Sequence, residues 1–421
     1  MSMLLVGAAA ADITPANPMP LAGFGHRLKP FVDVARPIKV RALVFEREGV
    51  RAAVVSADLL GWSGDLVASL RPQIEQAIGV KPELLLLHAT HTHCGPQVSS
   101  LVSLEPPSDQ PYLAELAKRT VDVATRAAAD LAPATASLGH SECRIGIHRR
   151  LERDGQIVMA PNPVGPIDPV VTVASFRRGS DRPPAFLVHY TCHPTTSDET
   201  RISPDYPGTA LDQLETEWGE GSIGAFIQGC TGDIRPALTK DGNFYRGTQE
   251  DVDRLAAEFA SAIRAAVGGE QTPLGEVQIE GRRELVDLPY ARLPESDELA
   301  DLAERNDQTG KWARYLLANL EWKSGHVELE LARLTLAQGL GLLALNAEPV
   351  VAYGFKIREL SRGKVLPVGY SDALWGYLPT AAQLMEGGYE ATGAFRLFGM
   401  PSPLAPSAEQ LTVDAIRTAL P

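Results

Sequence analysis

Histidines cluster twice in this chain, each time where an apolar run ends. The first cluster is Leu84-Leu-Leu-Leu-His88-Ala-Thr-His91-Thr-His93-Cys94-Gly95-Pro96, and the second is His189-Tyr-Thr-Cys192-His193-Pro194. If the leucine strand persists to its end, residues two apart point the same way and His91 and His93 share a face. Two imidazoles side by side can form half of a metal site. The spacing fits equally a strand cap beside a satisfied core histidine. A second strand that carries histidines to its end and stops at proline shifts the balance towards metal. Glu348 then arrives at the end of the apolar strand Leu340 to Leu345. An unpaired carboxylate is costly there, so it needs a partner, and a metal is one.

Three other stretches carry polar chemistry. Gly229-Cys230-Thr231-Gly232-Asp233-Ile234-Arg235-Pro236 is a tight loop whose glycines would let backbone N–H groups approach a ligand, although an ordinary turn reads the same. Arg149 and Arg150 follow a strand, where paired arginines are usually a solvated edge but also suit carbonyl or carboxylate recognition. Asp58 ends a strand, a position that often carries a polar site residue.

The elements that must position these residues alternate. Strands are expected at 39–45 and 51–58, a helix from Ser63 with apolar spacing at Leu66, Leu70, Ile74 and Ile78, and then the leucine strand. An Ala-rich amphipathic helix spans 112–131, strands follow at 135–143, 170–177 and 184–190, and a helix runs through Leu211 and Leu214. A strand at 222–228 feeds the Gly229 loop, and a helix covers 248–267. Strands at 277–286 and 329–336 flank a charged helical stretch at 295–322, which reads as an inserted arm or lid. The alternation indicates an α/β protein of layered mixed β-sheets flanked by helices. No composition shift marks a boundary, so a single domain over 1–421 with a helical insertion at about 295–322 is expected.

Composition narrows the class. At 421 residues with 44% hydrophobic and 22% charged content, the chain can bury a large core like an ordinary globular protein. Asp and Glu outnumber Lys and Arg by 52 to 39, which disfavours nucleic acid and anionic membrane as partners. Cys94, Cys143, Cys192 and Cys230 form no CxxC pair, which argues against a zinc ribbon or disulfide scaffold and fits a reducing compartment. The start has no basic region, and no apolar run reaches spanning length. A cytoplasmic location is the expectation; the number of copies in the assembly is left open.

Taken together, the motifs resemble the N-terminal catalytic domain of the neutral/alkaline non-lysosomal ceramidases. The matching pieces are Ala11-Asp12-Ile-Thr-Pro15, Ser56-Ala-Asp58-Leu, Ala89-Thr-His91-Thr-His93-Cys-Gly-Pro96, His193-Pro-Thr, Gly229-Cys-Thr-Gly-Asp233-Ile, Ala347-Glu348-Pro and Gly376-Tyr377-Leu-Pro-Thr. They fall in the family's order and span almost the whole chain. The resemblance implies a catalytic zinc held by His91, His193, Glu348 and Tyr377, with His93 facing the substrate carbonyl. Arg149 falls where the family's substrate-contacting Asn-Arg-Ser stands. The reaction implied is zinc-dependent amide hydrolysis, in which His93 and Arg149 stabilise the oxyanion and Asp233 is the candidate general base.

The departures are specific. Arg235 stands where the family has an active-site serine, and Cys94 where it usually has serine. A large cation there favours an anionic or strongly polar group in the substrate. The sequence shows neither the secretion or membrane signal nor the immunoglobulin-like domain of ceramidases proper. The expected substrate is therefore a small-molecule acyl amide smaller or more polar than ceramide. True ceramide hydrolysis and a non-catalytic, metal-stabilised binding protein are the alternatives. A Cys94 nucleophile with His93 or His193 as base is a further reading. A two-metal phosphoesterase would need more carboxylates near His91.

Overall fold

The computed structural model describes residues 3–27, 29–107, 109–179 and 182–420. It is built on a nine-stranded mixed sheet. From one edge the strands run Ile223–Gln228, Ala185–Tyr190, Val170–Arg177, Ala132–Glu142, Leu4–Asp12, Lys39–Arg47, Val50–Ala57 and Leu85–Ala89, and Gln271–Pro273 pairs onto Ala132–Glu142. A second sheet of four strands comprises Val277–Pro289, His326–Ala337, Leu340–Leu345 and Val365–Val368. A third, of three strands, is made of Ile234–Pro236, Gly146–Arg153 and Gln156–Asn162. Helices cover the sheets, so the α/β class with mixed sheets is as expected.

Three parallel pairs matter for the site: Val50–Ala57 with Leu85–Ala89, Ala185–Tyr190 with Ile223–Gln228, and Leu340–Leu345 with Val365–Val368. Each is joined by a helix, Gly64–Ile78, Asp205–Glu217 and Val351–Ser361 respectively. The Leu85–Ala89, Ala185–Tyr190 and Leu340–Leu345 strands are buried along their whole length, as strands covered on both faces must be. His91, His193 and Glu348 lie just past their C-terminal ends, where open α/β sheets place ligands.

The Gly64–Ile78 helix starts at Ser63, whose Oγ accepts from the Leu66 N–H, and stops at Gly79 in the left-handed region. The stretch expected as an arm at 295–322 forms two helices, Ser296–Ala303 and Gln308–Ala318. They are packed down rather than projecting: Leu299, Trp312, Leu316 and Trp322 cluster with Leu104 and Phe395, and Trp312 Nε1 donates to the Met400 carbonyl.

A short irregular segment, 369–372, ties the sheets together. The Gly369 N–H donates to the Gln228 carbonyl, the Tyr370 N–H to Ala347, and the Asp372 N–H to Leu87, while the Ala89 N–H donates to Tyr370. The strands that lead to His91 and Glu348, and the strand that feeds the Gly229 loop, are thus stitched to one segment. Tyr370 and Asp372 both take positive φ (55° and 54°), which costs a non-glycine residue of the order of 1 kcal/mol or more and persists only when surroundings over-determine it.

Asp205 anchors the turn after His193. Its buried carboxylate accepts from the Thr196 N–H at 3.0 Å, from Thr196 Oγ1 at 2.5 Å and from the Tyr206 N–H at 2.6 Å. Replacing Asp205 with asparagine turns one acceptor into a donor facing these N–H groups. A loss of about 1–3 kcal/mol in urea unfolding is expected; an unchanged midpoint would show that the turn does not depend on this carboxylate.

Candidate metal centre

The leucine strand ends at Ala89, earlier than the sequence suggests, and His91 takes a positive φ of 68°. Strand alternation therefore does not align His91 with His93. A tight turn does it instead, bringing His93 Nε2 to 3.3 Å from His91 Nε2. His193 joins them, and the ring nitrogens of the three histidines lie within 4.8 Å of one another. Glu348 completes the cluster: its Oε2 is 3.3 Å from His91 Nε2 and 3.2 Å from His193 Nε2.

The tautomers follow from the backbone. His91 Nδ1 donates to the Leu60 carbonyl at 2.6 Å, and His193 Nδ1 donates to the Thr231 carbonyl at 2.7 Å. Both Nε2 atoms therefore carry lone pairs, and both lone pairs face a carboxylate inside the protein. With His91 and Glu348 only 1% and 2% exposed, water cannot screen that repulsion, and a cation is the chemistry that relieves it. Ligands about 2.0–2.1 Å from a tetrahedral zinc sit roughly 3.3 Å apart, the spacing of these donors. Carbonyl acceptors on the remote nitrogens are also the usual support for a metal-bound imidazole. The donor set fits a divalent metal such as zinc.

Electrostatics agree. Burial pushes His193 down to about 4, so it is neutral at pH 7. Burial works against the Glu348 anion; protonated His91 and His193 would hold the carboxyl below its ordinary range, and with neutral imidazoles that role passes to a cation.

His93 differs from the other two. It is partly exposed, and its Nδ1 is buried without a hydrogen-bond partner. No carbonyl fixes its tautomer, so the proton is free to sit on Nε2 and point towards a reacting oxygen. Burial, with His91 and His193 nearby, holds it neutral. The loop at Gly23 presses on its ring: a Cβ at Gly23, where φ is +96°, would lie 2.5 Å from His93 Nδ1, and the Phe24 ring packs against it at 4.9 Å with the planes tilted by 55°.

Tyr377 pairs in register with Glu348 in a short parallel ladder, so the two side chains leave the same face. Its hydroxyl accepts from Arg149 Nη2 at 2.9 Å. Burial raises the phenol well above its usual range, and the Arg149 cation opposes that. Arg149 Nε also donates to Glu390 at 2.7 Å, and Arg150 binds the other Glu390 oxygen at 2.9 Å. The two arginines are a buried, paired unit rather than a solvated edge.

Asp233, expected as general base from its loop position, has its carboxylate committed elsewhere. Oδ1 accepts from the Val351 N–H at 2.8 Å, while Oδ2 accepts from Gln383 at 3.0 Å and faces His148 Nε2 at 3.3 Å. It braces the glycine loop against the helix that follows Glu348. The glycines serve the same bracing: a Cβ at Gly232 would lie 2.9 Å from the Glu348 carbonyl oxygen. The loop's contribution to the centre is the Thr231 carbonyl on His193, not N–H groups turned towards a ligand. Asp58 is likewise structural, ion-paired with buried Arg41 at 3.2 Å.

Tyr370, Thr231 and Glu390 were not singled out from sequence. The Tyr370 ring lies 4.2 Å from that of His91, and its hydroxyl shares a 2.6 Å hydrogen bond with Thr231 Oγ1. No periodicity marks any of the three. Cys94 is buried, and burial raises its thiol to about 12 although Arg27 opposes this, which disfavours a nucleophilic role.

The architecture is that of the neutral ceramidases. The crystal structure of a neutral ceramidase from Pseudomonas aeruginosa superposes over 100% of this chain and 75% of its own, with a TM-score of 0.74 and 20% sequence identity. A structure described as ceramidase complexed with C2 gives a TM-score of 0.75 over 100% and 76%, again at 20% identity. No family model and no curated protein matches the sequence.

Proposed function

We propose that this chain is a metal-dependent hydrolase of amide bonds, a divergent relative of the neutral ceramidases acting on a substrate smaller or more polar than ceramide. The observation that carries this reading is the convergence of two Nδ1-tethered imidazoles and a carboxylate at 3.2–3.3 Å. His91, His193 and Glu348 hold zinc, with Tyr377 beside them as the fourth donor. Zinc bound there supplies a Lewis acid for an amide carbonyl and acidifies water to a pKa of about 7.

The chain's own residues do the rest. Neutral His93 donates from Nε2 to the carbonyl oxygen as negative charge builds on it, and costs no reorganisation because Phe24 and Gly23 already fix its ring. Arg149 adds a fixed cation, held by Glu390, and orients the Tyr377 hydroxyl. Asp233 positions the glycine loop. Among the described residues no helix is long and apolar enough to cross a membrane.

Metal analysis of protein purified without added metal should give about one zinc per chain. Chelation should remove hydrolysis of an acyl-amide panel, zinc should restore it, and thiol alkylation should leave it intact. Less than one metal per chain with no rescue would overturn the reading.

A further inference from the structure

Arg235 is 4% exposed, yet its Nε and Nη2 have no hydrogen-bond partner, and Asp198 acts on it only as a minor opposing charge. Its guanidinium instead lies over the Phe244 ring at 4.3 Å. A buried cation with unmade hydrogen bonds is costly, and proteins seldom retain one without a use. Burial, reinforced by Arg246 and Arg149, pulls it down to about 9, the opposite of what a counter-ion would do.

Its placement ties it to the metal centre. Arg235 pairs with Ile147 across the antiparallel ladder, two residues before Arg149, and Arg149 is near enough to act on its charge. Arg149 reaches the Tyr377 hydroxyl, and the carbonyl of the preceding residue, Ile234, accepts from His193 Nδ1 at 3.1 Å. The two unpartnered atoms, Nε and Nη2, form one edge of the guanidinium, the edge that matches a carboxylate bidentately. Elsewhere in this chain the same edge does that: Arg264 offers Nε and Nη2 to the two carboxylate oxygens of Glu217.

Resting on the amide-hydrolase reading, we infer that Arg235 is a specificity-determining residue that binds a carboxylate on the substrate, which makes the substrate class N-acyl amino acids rather than neutral lipid amides. Phe244 supports the guanidinium from beneath, and exposed Arg246 lies above the Phe24 ring at 4.7 Å, ion-paired with Asp198 at 3.7 Å.

The test compares N-octanoylglycine with its neutral isostere N-octanoylglycinamide, by calorimetric binding and by hydrolysis, in wild-type protein, Arg235→Ser and Arg235→Lys. Wild type should prefer the acid by about thirtyfold or more, since truncating one member of a desolvated charge pair has effects of that size or larger. Arg235→Ser should abolish the preference, and Arg235→Lys should keep a part of it. Arg235→Ser should melt no lower than wild type, because it removes an uncompensated buried charge. Arg235-dependent binding of the acid without turnover would uphold the subsite and sink amide hydrolysis. Equal binding and turnover of acid and amide in wild type, or a preference that survives Arg235→Ser, would overturn the subsite and leave hydrolysis standing.

Discussion

Glu348→Gln should leave the purified protein without bound metal and without measurable amide hydrolysis. Glutamine keeps the shape and removes the charge that His91 and His193 face at 3.2–3.3 Å. The amide would also turn either an oxygen or an NH₂ group towards Nε2 lone pairs that the Leu60 and Thr231 carbonyls hold in place. Metal affinity should fall by more than about a hundredfold, since even outer partners of metal ligands are worth roughly 10–100-fold. Glu348→Asp, which keeps the charge on a shorter stem, should retain part of the affinity. Metal content after dialysis, read against a free zinc buffer, checks both. One zinc per chain in Glu348→Gln would show that the cluster binds metal without its carboxylate, or that metal sits elsewhere.

The likeness between this centre and its sequence signature has a physical origin. His91, His193 and Glu348 each follow a strand that is buried along its whole length, and polar residues there stand out because burial makes them expensive. The fold class was legible for the same reason, since alternating apolar strands and amphipathic helices have few ways to pack. What the sequence could not convey was how the strand ends meet. Segment 369–372 stitches the strands leading to His91, Glu348 and the Gly229 loop with backbone hydrogen bonds, and backbone bonds leave no side-chain pattern. Tyr370 carries its role through a positive φ and a ring against His91, neither of which has a period. Glu390 reaches Arg149 and Arg150 across more than two hundred residues of sequence, where a single Glu in a Gly-rich stretch carries no signal. The pairing of His91 with His93 shows the limit from the other side. Strand alternation predicted the right neighbours, but a left-handed residue in a turn is what brings them together.

Acid should destabilise wild type more steeply than His88→Gln. His88 lies under the metal centre in a fixed neutral tautomer: its Nε2 accepts the Gln228 N–H at 2.9 Å, and its Nδ1 faces Ser371 Oγ at 3.0 Å. Burial, with His189 and His91 nearby, pushes it down to about 3, against an ordinary value near 6.5 in the unfolded chain. Between those two values the unfolded state binds a proton that the folded state refuses, so stability rises with pH across this window and is lost as pH falls from about 6.5. His189, lowered to about 4 by burial, acts in the same sense. Asp205, raised by burial to about 6, acts in the opposite sense, because the folded state holds its proton after the unfolded state has released it. The wild-type slope is therefore a difference, and the variant isolates one part of it. Gln at position 88 can still accept the Gln228 N–H but takes up no proton. From pH 7 to pH 4.5, wild type should lose about 3 kcal/mol more than His88→Gln, roughly 1.4 kcal/mol per pH unit over the titrating range. Urea unfolding of metal-free protein at pH 7, 6, 5 and 4.5 reads this directly. Parallel pH profiles for the two proteins would mean that His88 is protonated in the folded state and that the neutral tautomer beneath the centre is not required.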